Sequence, residues 1–239
     1  MIGVVGGIGP YAGLDLVKKI FDLTEARCDQ EHLPVLLHSI PHKIPDRSEF
    51  LLGRLKDNPA IPLAEIICSL YDQGATVVGM PCNTAHSTPI FNEIQQRIPK
   101  GVTLINMIHE VVDYVKTNYA NNRSIGVLST TGTFRTNIYT QAFYKNGIDC
   151  IQVTEEIQNQ YIHPSIYDKS FGIKSHSAPV TRKAIQNLMI GADYLINQGV
   201  QAIVLGCTEL PIAFQSDEIK GIPLVDANEV LATALIHGF

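Results

Sequence analysis

An internal repeat constrains the fold of this chain more than any other feature. Residues 72–84 align without a gap with residues 197–209 at an offset of 125, and a cysteine follows the apolar run in both segments. The start repeats as well, since residues 2–9 and 125–132 share an Ile-Gly-Val run and a later glycine at an offset of 123. The sequence therefore predicts two copies of one unit, and a unit of roughly 100 residues can bury its own core.

Short apolar runs alternate with longer amphipathic segments, which predicts a strand-helix-strand order. The runs are rich in Val, Ile and Leu without polar alternation, as is typical of parallel strands covered on both faces. Between them, residues 177–198 have apolar side chains at helical spacing and end before Gly199, which predicts a helix. The predicted strands lie near residues 1–5, 34–40, 75–80, 102–106, 124–128, 148–153, 201–205 and 222–225.

These patterns predict an α/β fold of two pseudo-symmetric, doubly wound parallel-sheet domains. Such sheets bind ligands at the carboxyl ends of their strands, so we expect the active site in the cleft between the two domains. The segment 209–239 follows the second repeated cysteine, and we expect it to return to the first half. The predicted domains are thus residues 1–105 plus 209–239, and residues 106–208.

Charge and hydropathy exclude several classes of partner. The net charge is −5 and there is no basic run, which argues against a nucleic-acid surface. No apolar run approaches the roughly 20 residues of a membrane-spanning helix. The start of the chain lacks a charged leader and a cleavage site, so we expect a cytoplasmic protein with no membrane partner.

The cysteine and histidine spacings do not indicate a metal site or a disulfide framework. Five cysteines lie far apart with no C-x-x-C pair, and His86, His109 and His163 lack the spacing of metal ligands. We expect no metal, and His86 is interpreted as a packed or capping residue. Three cysteines are predicted to be core or bystander residues: Cys28, Cys68 and Cys150.

The two repeated cysteines, Cys82 and Cys207, are the strongest candidates for chemistry. Each follows a predicted strand and precedes a predicted helical turn, whose N–H groups and dipole stabilise a thiolate. A lowered thiol pKa is therefore predicted at both positions. Two opposed thiols would suit an enzyme that works on both faces of one carbon. The next residues have side chains that can cap a helix or bind a ligand: Asn83, Thr84, Thr208 and Glu209.

Polar stretches interrupt the regular pattern at equivalent places, at residues 41–59 and 154–177. Long loops inside compact domains are often lids or binding loops. Each stretch contains a cation that could reach the site, Arg47 in the first and Lys174 in the second. A solvated basic residue and a ligand-binding residue both remain open at these positions.

The motifs G-M-P-C-N-T-A-H at residues 79–86 and G-C-T-E-L-P at 206–211 resemble the paired signatures of the aspartate/glutamate racemase family. Residues 6–10 and the stretch 29–47 resemble its aspartate racemase branch, so the similarity spans almost the whole chain. The resemblance implies racemisation with neither pyridoxal phosphate nor a metal, and hence no cofactor. It also implies a homodimer and a small acidic amino-acid substrate, aspartate first and glutamate next.

The resemblance also implies roles for individual residues. Cys82 and Cys207 would be the two bases, titrating as a coupled pair, and the enantiomer decides which begins as thiolate. Arg47 and Lys174 would hold the distal carboxylate of the substrate. Apart from the resemblance, Glu209 could orient Cys207 or the substrate ammonium group, and its place in the first turn of a predicted helix gives it a structural explanation as well. The substrate α-carboxylate would be held by the residues at the matching family positions, Asn83, Thr84, Thr208 and Thr130.

Three alternatives remain open from the sequence. A cysteine-dependent isomerase of a related diacid, similar to maleate isomerases, also uses two cysteines. A catalytically silent protein that binds a small ligand is the second alternative. The third is a nucleotide-binding module, suggested by the glycines of residues 3–9, but the third glycine of that fingerprint and the acid after the second strand are missing.

Overall fold

The computed structural model describes residues 1–119 and 124–239. The chain divides into two compact units, residues 1–110 with 228–239 (the first unit) and residues 111–227 (the second unit). Each unit contains a mainly parallel sheet flanked by helices. The predicted α/β fold with two parallel-sheet domains is confirmed.

The sheet of the first unit has the strand order β2-β1-β3-β4, and all its described pairings are parallel. A helix or short helical segment follows each strand, as parallel pairing requires. The elements are β1 (Ile2–Gly6), α1 (Pro10–Leu23), β2 (Val35–Ser39), α2 (Arg47–Leu51), α3 (Ala60–Asp72), β3 (Val77–Gly79), α4 (Thr88–Arg97), β4 (Thr103–Leu104) and the start of α5 (Met107–Asn118). Single 3₁₀ turns lie at Asp29–Glu31, Pro41–Lys43 and Asn83–His86.

The sheet of the second unit has the order β6-β5-β7-β9-β8, in which only the described edge strand β8 is antiparallel. Its elements are β5 (Ser124–Ser129), α6 (Thr131–Thr136), α7 (Ile138–Tyr144), β6 (Asp149–Gln152), α8 (Glu155–Ile157), α9 (His163–Tyr167), α10 (Arg182–Asn197), β7 (Ile203–Gly206), α11 (Leu210–Ala213), β8 (Glu218–Ile219) and β9 (Ile222–Asp226). Helix α12 (Ala227–His237) follows β9 and belongs to the first unit from Asn228 onward.

The sequence repeat is visible in the strand register. Gly3 pairs with Val78 between β1 and β3, and Gly126 pairs with Ile203 between β5 and β7. These positions correspond under the offsets of 123 and 125 seen in the sequence. The strands that lead to the two repeated cysteines therefore lie beside equivalent neighbours.

The repeat extends to side-chain packing around two strand glycines. A Cβ atom on Gly3 or on Gly126 would approach its neighbours to 3.0 Å and 3.1 Å, respectively. A side chain at either position would therefore force its neighbours to move by a few tenths of an ångström, because few real Cβ atoms come so close. The neighbours correspond under the offset of 125: Leu70 and Ala75 around Gly3, and Leu195 and Val200 around Gly126.

The end of the second unit differs from the predicted domain boundary at residue 208. Strand β9 pairs with β7 in the second sheet, in register from Ile203 with Leu224, and does not return to the first. The apolar run of β9 lies only 16 residues after β7 in sequence and completes the parallel order of the sheet it follows. Only the final helix α12 joins the first unit, where Leu235 packs against Gly79.

The two polar stretches contain more helix than the expected long loops. Asp46 caps α2 by accepting a hydrogen bond from the backbone N–H of Glu49 at 2.9 Å. Thr154 caps α8 in the same way, accepting from Ile157 at 3.2 Å. From there the chain stays helical through a π-helical turn at Gln158–Ile162 into α9. Local capping by Asp and Thr thus starts helices where composition alone suggests irregular structure.

Each unit has its own apolar core, the first including Ile67, Val78 and Ile94, and the second including Leu188 and Leu205. Parallel strands buried on both faces supply the centre of each core, as their apolar composition predicts. Among the described residues, no helix has both the length and the apolar character needed to cross a membrane.

Candidate active site

Cys82 lies in a short turn, residues 81–86, after the carboxyl end of β3; we call it the first cysteine turn. The backbone of Cys82 is extended, and a 3₁₀ turn begins at the next residue. The Cys82 side chain is buried, and so are those of Asn83 and Thr84 beside it. The structure thus places three of the predicted site residues together at one strand end.

His86 fixes the first cysteine turn through the backbone. Its Nδ1 lies 2.8 Å from the carbonyl oxygen of Cys82, and its ring stacks on Phe91 at a centroid distance of 5.2 Å. Burial lowers the pKa of His86 to about 4, although the hydrogen bond with the Cys82 carbonyl acts in the opposite direction. His86 is therefore neutral at pH 7, and its interpretation as a packed residue is confirmed.

Arg47 is buried at the start of α2 and contacts the first loop of the chain. Its guanidinium donates hydrogen bonds to the carbonyl oxygens of Ile8 at 2.9 Å and Pro45 at 3.2 Å. Ile8 belongs to the glycine-rich loop between β1 and α1. Arg47 thus brings a charge that is always present to the same sheet edge as the first cysteine turn.

Cys207 lies in the equivalent turn of the second unit, residues 206–211, which we call the second cysteine turn. Its thiol donates a hydrogen bond to Glu209 Oε2, with Sγ and Oε2 3.0 Å apart. The other carboxylate oxygen of Glu209 accepts from Lys174 Nζ at 2.8 Å. Lys174 also lies over the ring of Tyr167, 5.3 Å from its centroid. Three predicted site residues therefore form one chain of contacts, with Thr208 buried beside them.

The surroundings of Cys207 contradict the prediction of a lowered thiol pKa at that position. Burial raises the pKa of Cys207 well above its usual value, and the negative charge of Glu209 raises it further. Lys174 lowers it, but with less effect than burial or Glu209. The sequence argument considered only the helix terminus, and it missed the carboxylate that accepts a hydrogen bond from the thiol.

Thr130 lies at the carboxyl end of β5, beside the second cysteine turn. Ser129 pairs with Gly206 in register, so Thr130 and Cys207 are the next residues on two adjacent strands. The Thr130 side chain caps α6 by accepting from the backbone N–H of Thr133 at 3.3 Å. Thr130 therefore has a structural role as a helix cap.

A buried glutamine that the sequence analysis missed supports the same strand end. Gln158 donates to the carbonyl oxygen of Ser129 at 3.1 Å and to Thr131 Oγ1 at 3.3 Å. Thr131 Oγ1 also lies 2.9 Å from His163 Nδ1. The only sequence signal for this network is its place within the polar stretch 154–177, since a single Gln among polar residues has no distinguishing pattern.

The remaining cysteines and a search for metal ligands add no second site. All five cysteines are free; Cys28 is exposed, while Cys68 and Cys150 are partly buried. Within residues 1–119 and 124–239, no group of three or more His, Cys, Asp or Glu side chains is arranged to hold a metal ion.

Comparison with known proteins gives one consistent result. The family model for Asp/Glu/hydantoin racemases matches residues 5–235. The broad specificity amino-acid racemase RacX of Bacillus subtilis is 24% identical over 246 residues, which cover 100% of this chain and 98% of RacX. Aspartate racemase of Picrophilus torridus is similar in structure, with a TM-score of 0.82 at 29% identity. The match covers 99% of this chain and 93% of the Picrophilus torridus chain. Glutamate racemase of Francisella tularensis, solved with D-glutamate, has a TM-score of 0.69 at 22% identity, covering 99% and 79%.

The two parallel-sheet units flanked by helices match the fold of solved aspartate and glutamate racemases. The chain belongs to the Asp/Glu/hydantoin racemase family. The protein is accordingly an isomerase, an amino-acid racemase that acts on small amino-acid substrates. The family resemblance seen in the two cysteine motifs is confirmed.

Proposed function

We propose that the enzyme is an aspartate racemase that needs no pyridoxal phosphate and uses Cys82 and Cys207 as its two bases. Glutamate is the next candidate substrate. One observation carries the proposal: buried thiols occupy equivalent strand ends of an internal repeat, with a 3₁₀ turn beginning directly after Cys82 and helix α11 beginning three residues after Cys207. A buried cysteine alone is usually a small apolar residue, whereas two at repeated positions favour a shared chemical role.

Racemisation by two thiols needs one thiolate and one neutral thiol. The thiolate removes the α-proton from one face of the substrate, and the electron pair left on carbon is delocalised into the α-carboxylate. The opposite thiol then donates its proton to the other face, so the enzyme ends with the two protonation states exchanged. The α-proton is a very weak acid, which is why the base must be held at contact distance.

The carbanion carries its extra charge on the α-carboxylate, which therefore needs fixed donors. We assign this role to the backbone amides of the two cysteine turns and to the side chains of Asn83, Thr84, Thr208 and Thr130. Burial supports the assignment, because donors shielded from water interact more strongly with a developing charge.

Selection for an acidic substrate would come from Arg47 and Lys174. Arg47 can bind two carboxylate oxygens through its planar guanidinium, and Lys174 adds a second positive charge. Support comes from their positions, since each lies at the same sheet edge as one cysteine turn. The similarity to an aspartate racemase at 29% identity supports aspartate as the first substrate to test.

The test is proton NMR of L- and D-aspartate, and then of glutamate, with purified enzyme in deuterated buffer and no added cofactor. Chiral chromatography of the same samples measures inversion. We expect the α-proton signal to disappear and the opposite enantiomer to form. Inversion of neutral amino acids but not of aspartate or glutamate would contradict the proposed substrate. Conversion of maleate without any racemisation would instead support a diacid isomerase.

The assembly and location of the enzyme remain predictions. From the family resemblance and from the sequence, we expect a homodimer in the cytoplasm whose only ligand is the small acidic amino acid. Sedimentation analysis of the purified chain would measure the oligomeric state.

A further inference from the structure

We infer that the Lys174–Glu209 ion pair holds Cys207 as the protonated thiol of the resting enzyme, so that the free enzyme carries Cys82 as the thiolate and Cys207 must lose its proton before it can act on the enantiomer whose α-proton faces it. This inference rests on the proposed two-thiol reaction and assigns different resting states to thiols that the repeat makes equivalent. Towards Cys207, Glu209 and Lys174 are positioning residues that act through the thiol, apart from the substrate contact proposed for Lys174.

The hydrogen bond between Cys207 and Glu209 fixes where the proton lies. A carboxylate is a far weaker base than a thiolate, so a proton shared by the two groups stays on sulfur. With 3.0 Å between Sγ and Oε2, the thiol donates to an ionised acceptor, and hydrogen bonds to charged acceptors are the stronger kind. Loss of the thiol proton would place two negative charges side by side in a buried site.

Lys174 keeps Glu209 ionised in spite of its burial. The Glu209 side chain is only 8% exposed, a setting that by itself favours the neutral acid. Lys174 Nζ lies 2.8 Å from Oε1, and an opposite charge at this distance favours the carboxylate. Lys174 is bonded to one carboxylate oxygen and Cys207 to the other, so the lysine stabilises Glu209 directly and the thiol only through it.

The sequence of the first cysteine turn, residues 81–86, contains no Asp or Glu, so the repeat does not reproduce the carboxylate of Glu209. The position that corresponds to Glu209 under the offset of 125 is Thr84, an uncharged residue. The nearby His86 is neutral at pH 7 because burial lowers its pKa to about 4. The asymmetry therefore comes from the second unit and from the residues Glu209 and Lys174 in particular.

The inference is tested by the pH profile of kcat/KM for aspartate. The two enantiomers have equal free energy, so kcat/KM is the same in both directions and one profile describes the free enzyme. The acid limb reports formation of the first thiolate, and the alkaline limb reports loss of the last thiol proton. If Cys207 is the resting thiol, the alkaline limb belongs to Cys207.

Glu209→Gln removes the charge but keeps the size of the side chain. We expect it to move the alkaline limb to lower pH by about one unit or more. The exposed matched control Glu155→Gln should leave both limbs at the wild-type pH. A merely structural role for Glu209 would lower activity at every pH and leave both limbs in place.

A second readout does not depend on racemase activity. The rate of iodoacetamide labelling is measured for Cys207 and for Cys82 by peptide mass spectrometry at a series of pH values. The pH midpoints of the two rate curves are compared, rather than the absolute rates. We expect the Cys207 midpoint to lie above that of Cys82 and to fall in Glu209→Gln. If Glu209→Gln leaves both the alkaline limb and the Cys207 midpoint unchanged, the inference is overturned. If the wild type racemises no amino acid, the proposed function fails, while the labelling still decides the state of Cys207.

Discussion

The two cysteine turns occupy equivalent strand ends, but one is surrounded by neutral groups and the other by an ion pair. The Cys82 turn is held by a neutral histidine through a backbone carbonyl and an aromatic stack. The Cys207 turn is held by a carboxylate that contacts the thiol itself and by a lysine behind it. A duplicated fold can thus place two thiols at equivalent strand ends, while a few residue differences make the charges around them unequal. Each of the following predictions would break or sharpen this comparison.

The largest effect is expected from removing either thiol. Cys82→Ser and Cys207→Ser should each lower kcat for aspartate racemisation on the order of 10⁴-fold, because a hydroxyl is a poor base and the inversion needs both groups. Chiral chromatography of timed samples measures this loss. Cys68→Ser, at a partly buried cysteine outside both turns, is the control and should keep the wild-type rate. Wild-type activity in either Cys82→Ser or Cys207→Ser would contradict the two-base account.

The neutral histidine of the first cysteine turn should make the unfolding free energy depend on pH between pH 7 and pH 4. The folded-state pKa of His86 is about 4, below its usual value of 6.5, so its contribution is present above pH 6.5 and is lost as the pH falls toward 4. The expected loss is about 3 kcal/mol of unfolding free energy. Urea titrations between pH 7 and pH 4 measure it, and His86→Gln should show a smaller pH dependence. The same slope in both proteins would contradict the assignment.

The equivalence of the two backbones can be tested at the strand glycines. Gly3→Ala and Gly126→Ala should each destabilise the protein by about 1–3 kcal/mol, since the new methyl group overpacks the same kind of strand-helix contact. Thermal unfolding measured by circular dichroism compares them. Gly147→Ala controls for added side-chain volume, because a Cβ there meets nothing within 4 Å, although its φ of +72° adds its own strain. A large loss in only one of the two variants would show that the repeat is not equivalent in packing.

The smallest effect is expected at Thr130, where the two units differ in helix capping. Under the offset of 123, Thr130 corresponds to Gly7, and the first helix of the first unit has no side-chain cap. Thr130→Ala should therefore cost about 1 kcal/mol, while Thr130→Ser should keep the cap. Denaturant unfolding gives the stability, and KM for aspartate shows whether Thr130 also binds the substrate. An unchanged stability in Thr130→Ala would exclude the capping role.

Much of the fold follows from local sequence patterns. The eight predicted strands are all present, and the helix predicted over 177–198 is found at Arg182–Asn197. The short edge strand Glu218–Ile219 was not predicted, because two residues carry no periodicity. The helical run that begins at Glu155 was also missed, since it depends on one capping threonine and on packing of Gln158.

The grouping of the candidate residues at the strand ends could be predicted from the sequence, but their electrostatics could not. The repeat identifies Cys82 and Cys207 directly, and the family motifs add the residues around them. The contact of Lys174 with Glu209 joins residues 35 positions apart in sequence, and no local pattern specifies it. The raised pKa of Cys207 depends on that tertiary arrangement and on burial, which is why reasoning from the helix terminus alone predicted the wrong direction.

The most direct test of the two-base account is α-proton exchange by the two single-thiol variants in deuterated buffer. Each variant keeps one base on one face of the substrate, so it should exchange the α-proton of only one enantiomer of aspartate, without inversion. The account predicts that Cys82→Ser and Cys207→Ser exchange opposite enantiomers. Exchange of the same enantiomer by both variants, or of both enantiomers by either one, would contradict it.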